Sequence, residues 1–152
     1  MASTITAADL TVTLTESIIL DETDYGLTNI LIVEDVTEVY RRIVTVTTSS
    51  TAVLTFAAAV SAGGFVRGDV KYVRVTNKDD TNYVELVING ASNNSCCFKL
   101  EAGKSFLLGI GTSSVDANDS AAITSASFVN LSGITAKANT ASVDLELFVA
   151  GT

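Results

Sequence analysis

From Leu10 onward, large apolar residues fall on alternate positions for most of the chain. That period of two belongs to a strand with one face buried and the other wet. In Leu10-Thr11-Val12-Thr13-Leu14-Thr15 the aliphatic side chains point one way and the threonines the other. Near the other end Val143, Leu145, Leu147 and Val149 alternate with Asp144, Glu146 and Phe148 in the same manner. Thr and Ser are abundant and Val is the dominant large residue, which suits a pleated, half-buried surface. Apolar residues at helical spacing are hard to find anywhere, so the chain is restricted to sheet architectures.

Turn-forming tracts cut this pattern into eight or more short strands. The first strand runs on towards Ser17-Ile18-Ile19-Leu20 and ends at a turn spanning Asp21 to Gly26. Strands are then expected over Asn29 to Val33 and Val39 to Thr47, the latter joined to Ala52–Phe56 by Thr48-Ser49-Ser50-Thr51 as a hairpin. Residues 57–64, all small apart from Val60, read as a short helical turn or a loop. The strongest hairpin expectation is Val70–Val75 and Tyr83–Ile88 around the polar tract Asn77–Asn82. Cys96–Leu100 and Ser105–Ile110 flank a turn at Glu101–Lys104, and the last third reads as strands over 122–131, 133–138 and 142–149. The expected fold is all-β, an antiparallel β-sandwich of jelly-roll type, in preference to a parallel α/β sheet. At 152 residues, folding buries roughly 68–70% of the unfolded chain's surface, so one core suffices. The whole of 1–152 is read as one domain, with 1–9 as an N-terminal arm.

Hydrophobic residues make up 47% of the chain and mean hydropathy is +0.41, yet no run approaches the roughly 20 apolar residues of a membrane span. The N-terminus shows no secretory signal. Nine Lys and Arg against seventeen Asp and Glu give a formal charge of -8, which repels phosphate backbones and anionic lipid headgroups. Nucleic acid and membranes are therefore not expected as partners. There is no His, which removes the commonest general base and metal ligand at neutral pH. Cys96 and Cys97 are adjacent, too close for an unstrained disulfide, and read as two free thiols in a strand.

Several clusters remain to be weighed. Asp79 and Asp80 could hold a cation, although turn aspartates ordinarily cap the backbone. Asp116-Ala117-Asn118-Asp119-Ser120 opens like a calcium loop but has Ala121 where the sixth-place Gly belongs and Ser127 in place of the twelfth-position carboxylate. Asp21, Glu22 and Asp24, with Glu34 and Asp35, could form the paired carboxylates of a glycan hydrolase, provided they meet in space. Ser, Thr and Cys lack a His to activate them. No catalytic residue, cofactor or metal site is expected. Arg41, Arg42 and Arg67 are basic points in an acidic chain and are the candidate interface residues, through the guanidinium fork.

Three runs carry a family likeness: Glu38-Val39-Tyr40-Arg41-Arg42-Ile43-Val44-Thr45-Val46, Val70 to Asp80, and Phe98-Lys99-Leu100-Glu101-Ala102-Gly103-Lys104-Ser105-Phe106. The pattern, over roughly residues 10 to 110, resembles small virion proteins of tailed bacteriophages, especially marine and cyanobacterial phages. The resemblance implies a β-sandwich decoration or cement protein, made in the host cytoplasm and carried on the capsid surface. Such proteins bridge major capsid protein subunits, often as trimers, so a homo-oligomer with the trimer favoured is expected. The alternative is a tail or fibre component that recognises a host surface. Only four Tyr and six Phe are present, most of them inside expected strands, which leans against a loop platform for sugars.

Overall fold

The structure, a computed structural model, describes residues 4–91, 94–109, 114–115 and 128–152. It is all-β, as the alternation requires. The described strands are β1 (Ala8–Glu16), β2 (Ile19–Leu20), β3 (Thr23–Asp24), β4 (Leu27–Val36), β5 (Glu38–Val46), β6 (Thr51–Ala57), β7 (Phe65–Val66), β8 (Val70–Asn77), β9 (Val84–Gly90), β10 (Ser95–Leu100), β11 (Ser105–Leu108), β12 (Ser114–Val115), β13 (Val129–Ala138) and β14 (Val143–Gly151).

Eight of these strands form a sandwich. One sheet has the order β11-β8-β14-β5; the other has the order β10-β9-β13-β6, extended by the short β7 parallel to β6 and by β12 on one end of β13. Numbered along the chain, the two sheets read 6-3-8-1 and 5-4-7-2, the interleaving of a jelly roll. The core lies between them. Leu145, Leu147 and Val149 of β14, with Val73 and Val75 of β8, meet Leu86 and Ile88 of β9 and Leu131 and Ile134 of β13. β8, β9 and β14 contribute alternate residues to this layer, and β13 shifts register between Leu131 and Gly133 to bring in Ile134. Gly133 in β13 is fixed by packing, because a Cβ there would sit 2.5 Å from the Leu54 carbonyl oxygen of β6.

Two hairpin expectations are overturned by this topology. β5 and β6 lie in opposite sheets, and so do β8 and β9, so Thr47–Ser50 and Lys78–Tyr83 are crossings and not hairpin loops. Four to six residues are enough to span the roughly 10 Å between packed sheets. The second crossing is held by Asn77, fully buried, whose Nδ2 donates to the carbonyls of Asn82 and Leu100 at 2.9 and 3.2 Å. Its Oδ1 accepts from the Asp79 amide at 2.9 Å. Residues 129–138 form one unbroken strand where two were expected, and 57–64 contain no helix. The tract 116–127 lies outside the described residues.

Residues 8–36 stand apart from the sandwich. β1 and β4 pair antiparallel as a two-stranded ribbon, continued by β2 and β3 to a turn at Asp21-Glu22. This arm is far longer than the expected arm over 1–9; Thr4–Ala7 precede it as exposed coil, and Asp9 already belongs to β1. No helix among the described residues is long and apolar enough to cross a membrane.

Candidate functional site

Register explains how the arm leaves the body. Ala8 pairs with Val36 and Leu10 with Val33, so Glu34 and Asp35 together oppose the single Asp9 in a β-bulge. Asp35 takes a left-handed backbone, φ 56, which re-aims the chain from arm into sheet. The Lys71 ammonium of β8 donates to the carbonyls of Glu34 and Asp35 at 2.8 and 3.4 Å and ties the bulge down. Below it, Val33 and Val36 pack with Leu10 and Val12 on Tyr72, Phe148 and Ala150 of the four-stranded sheet's outer face. Tyr72 and Phe148 meet edge to face, centroids 6.1 Å apart. Burial pushes the Tyr72 hydroxyl's pKa up, partly offset by Arg74.

Further out, the ribbon is apolar on both faces. One face carries Leu14, Leu31 and Leu27; the other carries Ile30 and Ile32 among threonines. The tip adds Ile18, Ile19, Leu20 and Tyr25, all more than half exposed. Asp21 and Glu22 both have positive φ, the hand of a two-residue turn that matches strand twist. Gly26 is needed where the strands close up, since a Cβ would lie 2.7 Å from the Glu16 carbonyl oxygen. Between arm and sheet lies an apolar cleft of about 240 Å³, lined by Val12, Leu14, Ile30, Leu31, Tyr72 and Leu107.

The rest of the sheet's outer face is charged at its centre and apolar at its edge. Strand pairing sets it in rows: Val39-Ala150-Tyr72, then Arg41-Phe148-Arg74, then Ile43-Glu146-Thr76. The Glu146 carboxylate accepts from Arg41 at 2.7 Å and from Arg74 at 2.6 Å while itself largely buried. These two guanidinium bonds hold its carboxyl below the usual glutamate range, and in return Glu146 raises Arg41. Arg74 also donates to Thr76 at 2.7 Å and lies 5.9 Å over the Phe148 ring. Val39 and Ile43, on the edge strand β5, stay exposed.

The three arginines singled out in the sequence are not brought together. Arg41 belongs to the Glu146 cluster; Arg42, its neighbour on β5, points to the opposite side of the sheet, is exposed, and makes no ion pair among the described residues. Arg67 donates through Nε to the Leu131 carbonyl at 2.7 Å and braces β13. Asp79 caps the crossing loop, accepting from the amides of Asn82 and Thr81, and those two amides lower its pKa. Asp21, Glu22 and Asp24 lie at the arm's tip and Glu34-Asp35 at its base. The strand between them puts roughly 30 Å between the two groups, beyond the roughly 5–9.5 Å of a glycosidase pair. Both cysteines are free and exposed on β10. Among the described residues no three His, Cys, Asp or Glu side chains converge as a metal site.

Sequence reasoning missed the arm's apolar faces. The signal was present: Ile18-Ile19-Leu20 and Ile30-Leu31-Ile32-Val33 break the alternation and are apolar at consecutive positions, the mark of a strand covered on both sides.

A second concavity, about 300 Å³, lies at one end of the sandwich between Tyr40, Phe65, Val149, Glu38 and Asp69. Tyr40 and Phe65 meet edge to face at 5.3 Å. No protein-family model, no curated protein and no solved structure matches this chain.

Proposed function

We propose that this protein is a non-catalytic structural component of a phage virion, a decoration protein that seats on the major capsid protein shell and stabilises it. It does no bond chemistry and works by burying surface. The observation that carries this reading is the arm: a ribbon apolar on both faces, projecting from a closed sandwich that covers only its base. A two-stranded ribbon alone is marginal in water, so its outer part is built to be covered by something else. The likeness of residues 10–110 to small phage virion proteins supplies the setting.

Co-sedimentation with capsid shells stripped of minor proteins tests it. Saturable binding at a stoichiometry tied to shell symmetry is expected, and loss of binding on Leu14→Asp with Leu27→Asp would tie it to the arm. Failure to bind shells at any concentration overturns the reading. A tail component recognising host glycans is the second reading, favoured by the Tyr40–Phe65 pair beside Glu38 and Asp69. Binding to host cells but not to shells, lost on Phe65→Ala, selects it.

A further inference from the structure

Charge is divided unequally along the chain. Residues 1–40 hold eight of the seventeen acids (Asp9, Glu16, Asp21, Glu22, Asp24, Glu34, Asp35 and Glu38) and no Lys or Arg. Residues 41–152 hold the other nine acids and all nine bases, so their formal charge is 9 − 9 = 0; of the −8 that remains, seven charges sit on the arm and one on Glu38 at the start of β5. The first bases met are Arg41 and Arg42 on β5, an edge strand whose Val39 and Ile43 are 57% and 60% exposed.

We propose that the arm of one copy seats on the β5 edge and outer sheet face of a second copy of this chain. Ile30, Ile32 and the Ile18–Leu20 tip would cover Val39 and Ile43 on the outer face, and the arm's carboxylates would meet Arg41 there and Arg42 around the β5 edge. This contact does not depend on what the assembly decorates.

Three observations select a second copy and this geometry. The first is area. The nine large apolar side chains exposed between Leu14 and Ile32 are spread over two faces and the tip; the five that the contact uses, Ile18, Ile19, Leu20, Ile30 and Ile32, at on the order of 100 Å² each, present about 500 Å². A standard interface takes about 800 Å² from each partner, of which somewhat over half is non-polar, so this is the apolar area one such face needs. The second is charge complementarity: a purely acidic apolar ribbon needs an apolar surface edged with cations, and this chain presents one. The third is the alternative that charge removes. Packing arm against arm about a two-fold axis would set the seven acids of one arm against the seven of the other, with no Lys or Arg in either. An arm-to-sheet contact joins different patches on the two copies, so it closes either by reciprocal exchange of arms about a two-fold axis or head to tail as a ring. It also gives the long β5 edge a cover.

The full chain at about 100 μM, where a dissociation constant of about 10 μM leaves most copies assembled, is examined by sedimentation velocity and light scattering. A closed oligomer that weakens as salt is raised is expected. Val39→Asp with Ile43→Asp breaks the receiving face at two exposed outer-face positions and should weaken association at least about a hundredfold, with the circular dichroism of the wild type. Ile30→Asp with Ile32→Asp breaks the donating face. Each double variant alone should be monomeric, and an equimolar mixture should form a dimer and nothing larger, because one intact arm then meets one intact receiving face. A monomeric wild type overturns the proposal. So does an oligomer that survives both double variants, or a pair of variants that do not complement each other, which is the behaviour of an arm-to-arm contact.

Discussion

The sandwich and the arm are written in the same residues and come to opposite ends. In β14 the alternate residues Val143, Leu145, Leu147 and Val149 are at most 2% exposed, because a second sheet lies across from them. In β4, Ile30, Leu31 and Ile32 are 49–63% exposed, although they are as apolar and as regularly stranded. A strand pattern states which side chains share a face; it does not state what that face will meet. The body satisfies its pattern within one chain, and the arm leaves its own open, with Lys71 and the Val33–Tyr72 cluster fixing only the root.

The largest effect that sharpens this contrast is cavity formation. Leu145→Ala, in the fully buried layer, should cost about 2–5 kcal/mol in urea unfolding. Ile30→Ala, measured at a concentration low enough to keep chains apart, should stay within about 0.5 kcal/mol of wild type. Equal losses at the two positions would mean that the arm's outer half is packed into the body after all.

Next in size is Asn77, and it shows where sequence reasoning stopped. The alternation and the turn chemistry made the all-β class, the core rows of β8 and β14, and most strand positions legible. They did not say which strands pair. Val70–Val75 and Tyr83–Ile88 around a polar tract look like a hairpin, yet each buries one face, and two such faces can be opposed across a core as well as placed side by side in a sheet. The choice is made by long-range burial and by Asn77, whose amide bonds Asn82 and Leu100 and so ties the β8–β9 crossing to the end of β10. A polar residue at the end of a strand gives no sign in sequence that it will be buried. Arg41, by contrast, was legible as a charge worth following, whereas its partner Glu146 reads in sequence as an ordinary outward acid. Asn77→Ala removes both donors and leaves two carbonyls without them, for an expected loss of about 1–3 kcal/mol. If the change is neutral, the crossing is held by packing alone.

Acid should act on the body through Glu146 and Asp79. Both are held below their ordinary values, Glu146 by Arg41 and Arg74, Asp79 by the amides of Asn82 and Thr81. A carboxyl with a lowered folded-state pKa contributes stability that is complete above its unfolded value and lost as pH falls towards the folded one. Stability should therefore be flat near neutrality and decline below about pH 4.3. Glu146→Gln should make that decline shallower, as followed by thermal midpoint across pH 3–7, a range set by the ordinary carboxyl values of about 4. An unchanged slope would place the acid sensitivity elsewhere, the carboxylates of the arm included.

The smallest effect tests the hinge between the two regions. Lys71 reaches the carbonyls of Glu34 and Asp35 from an exposed position, so water competes for its ammonium, and Lys71→Met should cost no more than about 1 kcal/mol. Its signature is local, not global. Amide exchange in β1 and β4 should quicken because the bulge is no longer clamped, while amides of β13 and β14 keep their protection, since the sandwich loses no core contact. Asp35→Gly should do the reverse to a smaller degree, relieving the left-handed backbone at the bulge without touching the clamp. Were Lys71→Met to speed exchange in β13 and β14 as much as in the arm, the two regions would open as one cooperative unit, and the arm would have to be counted as part of the fold it projects from.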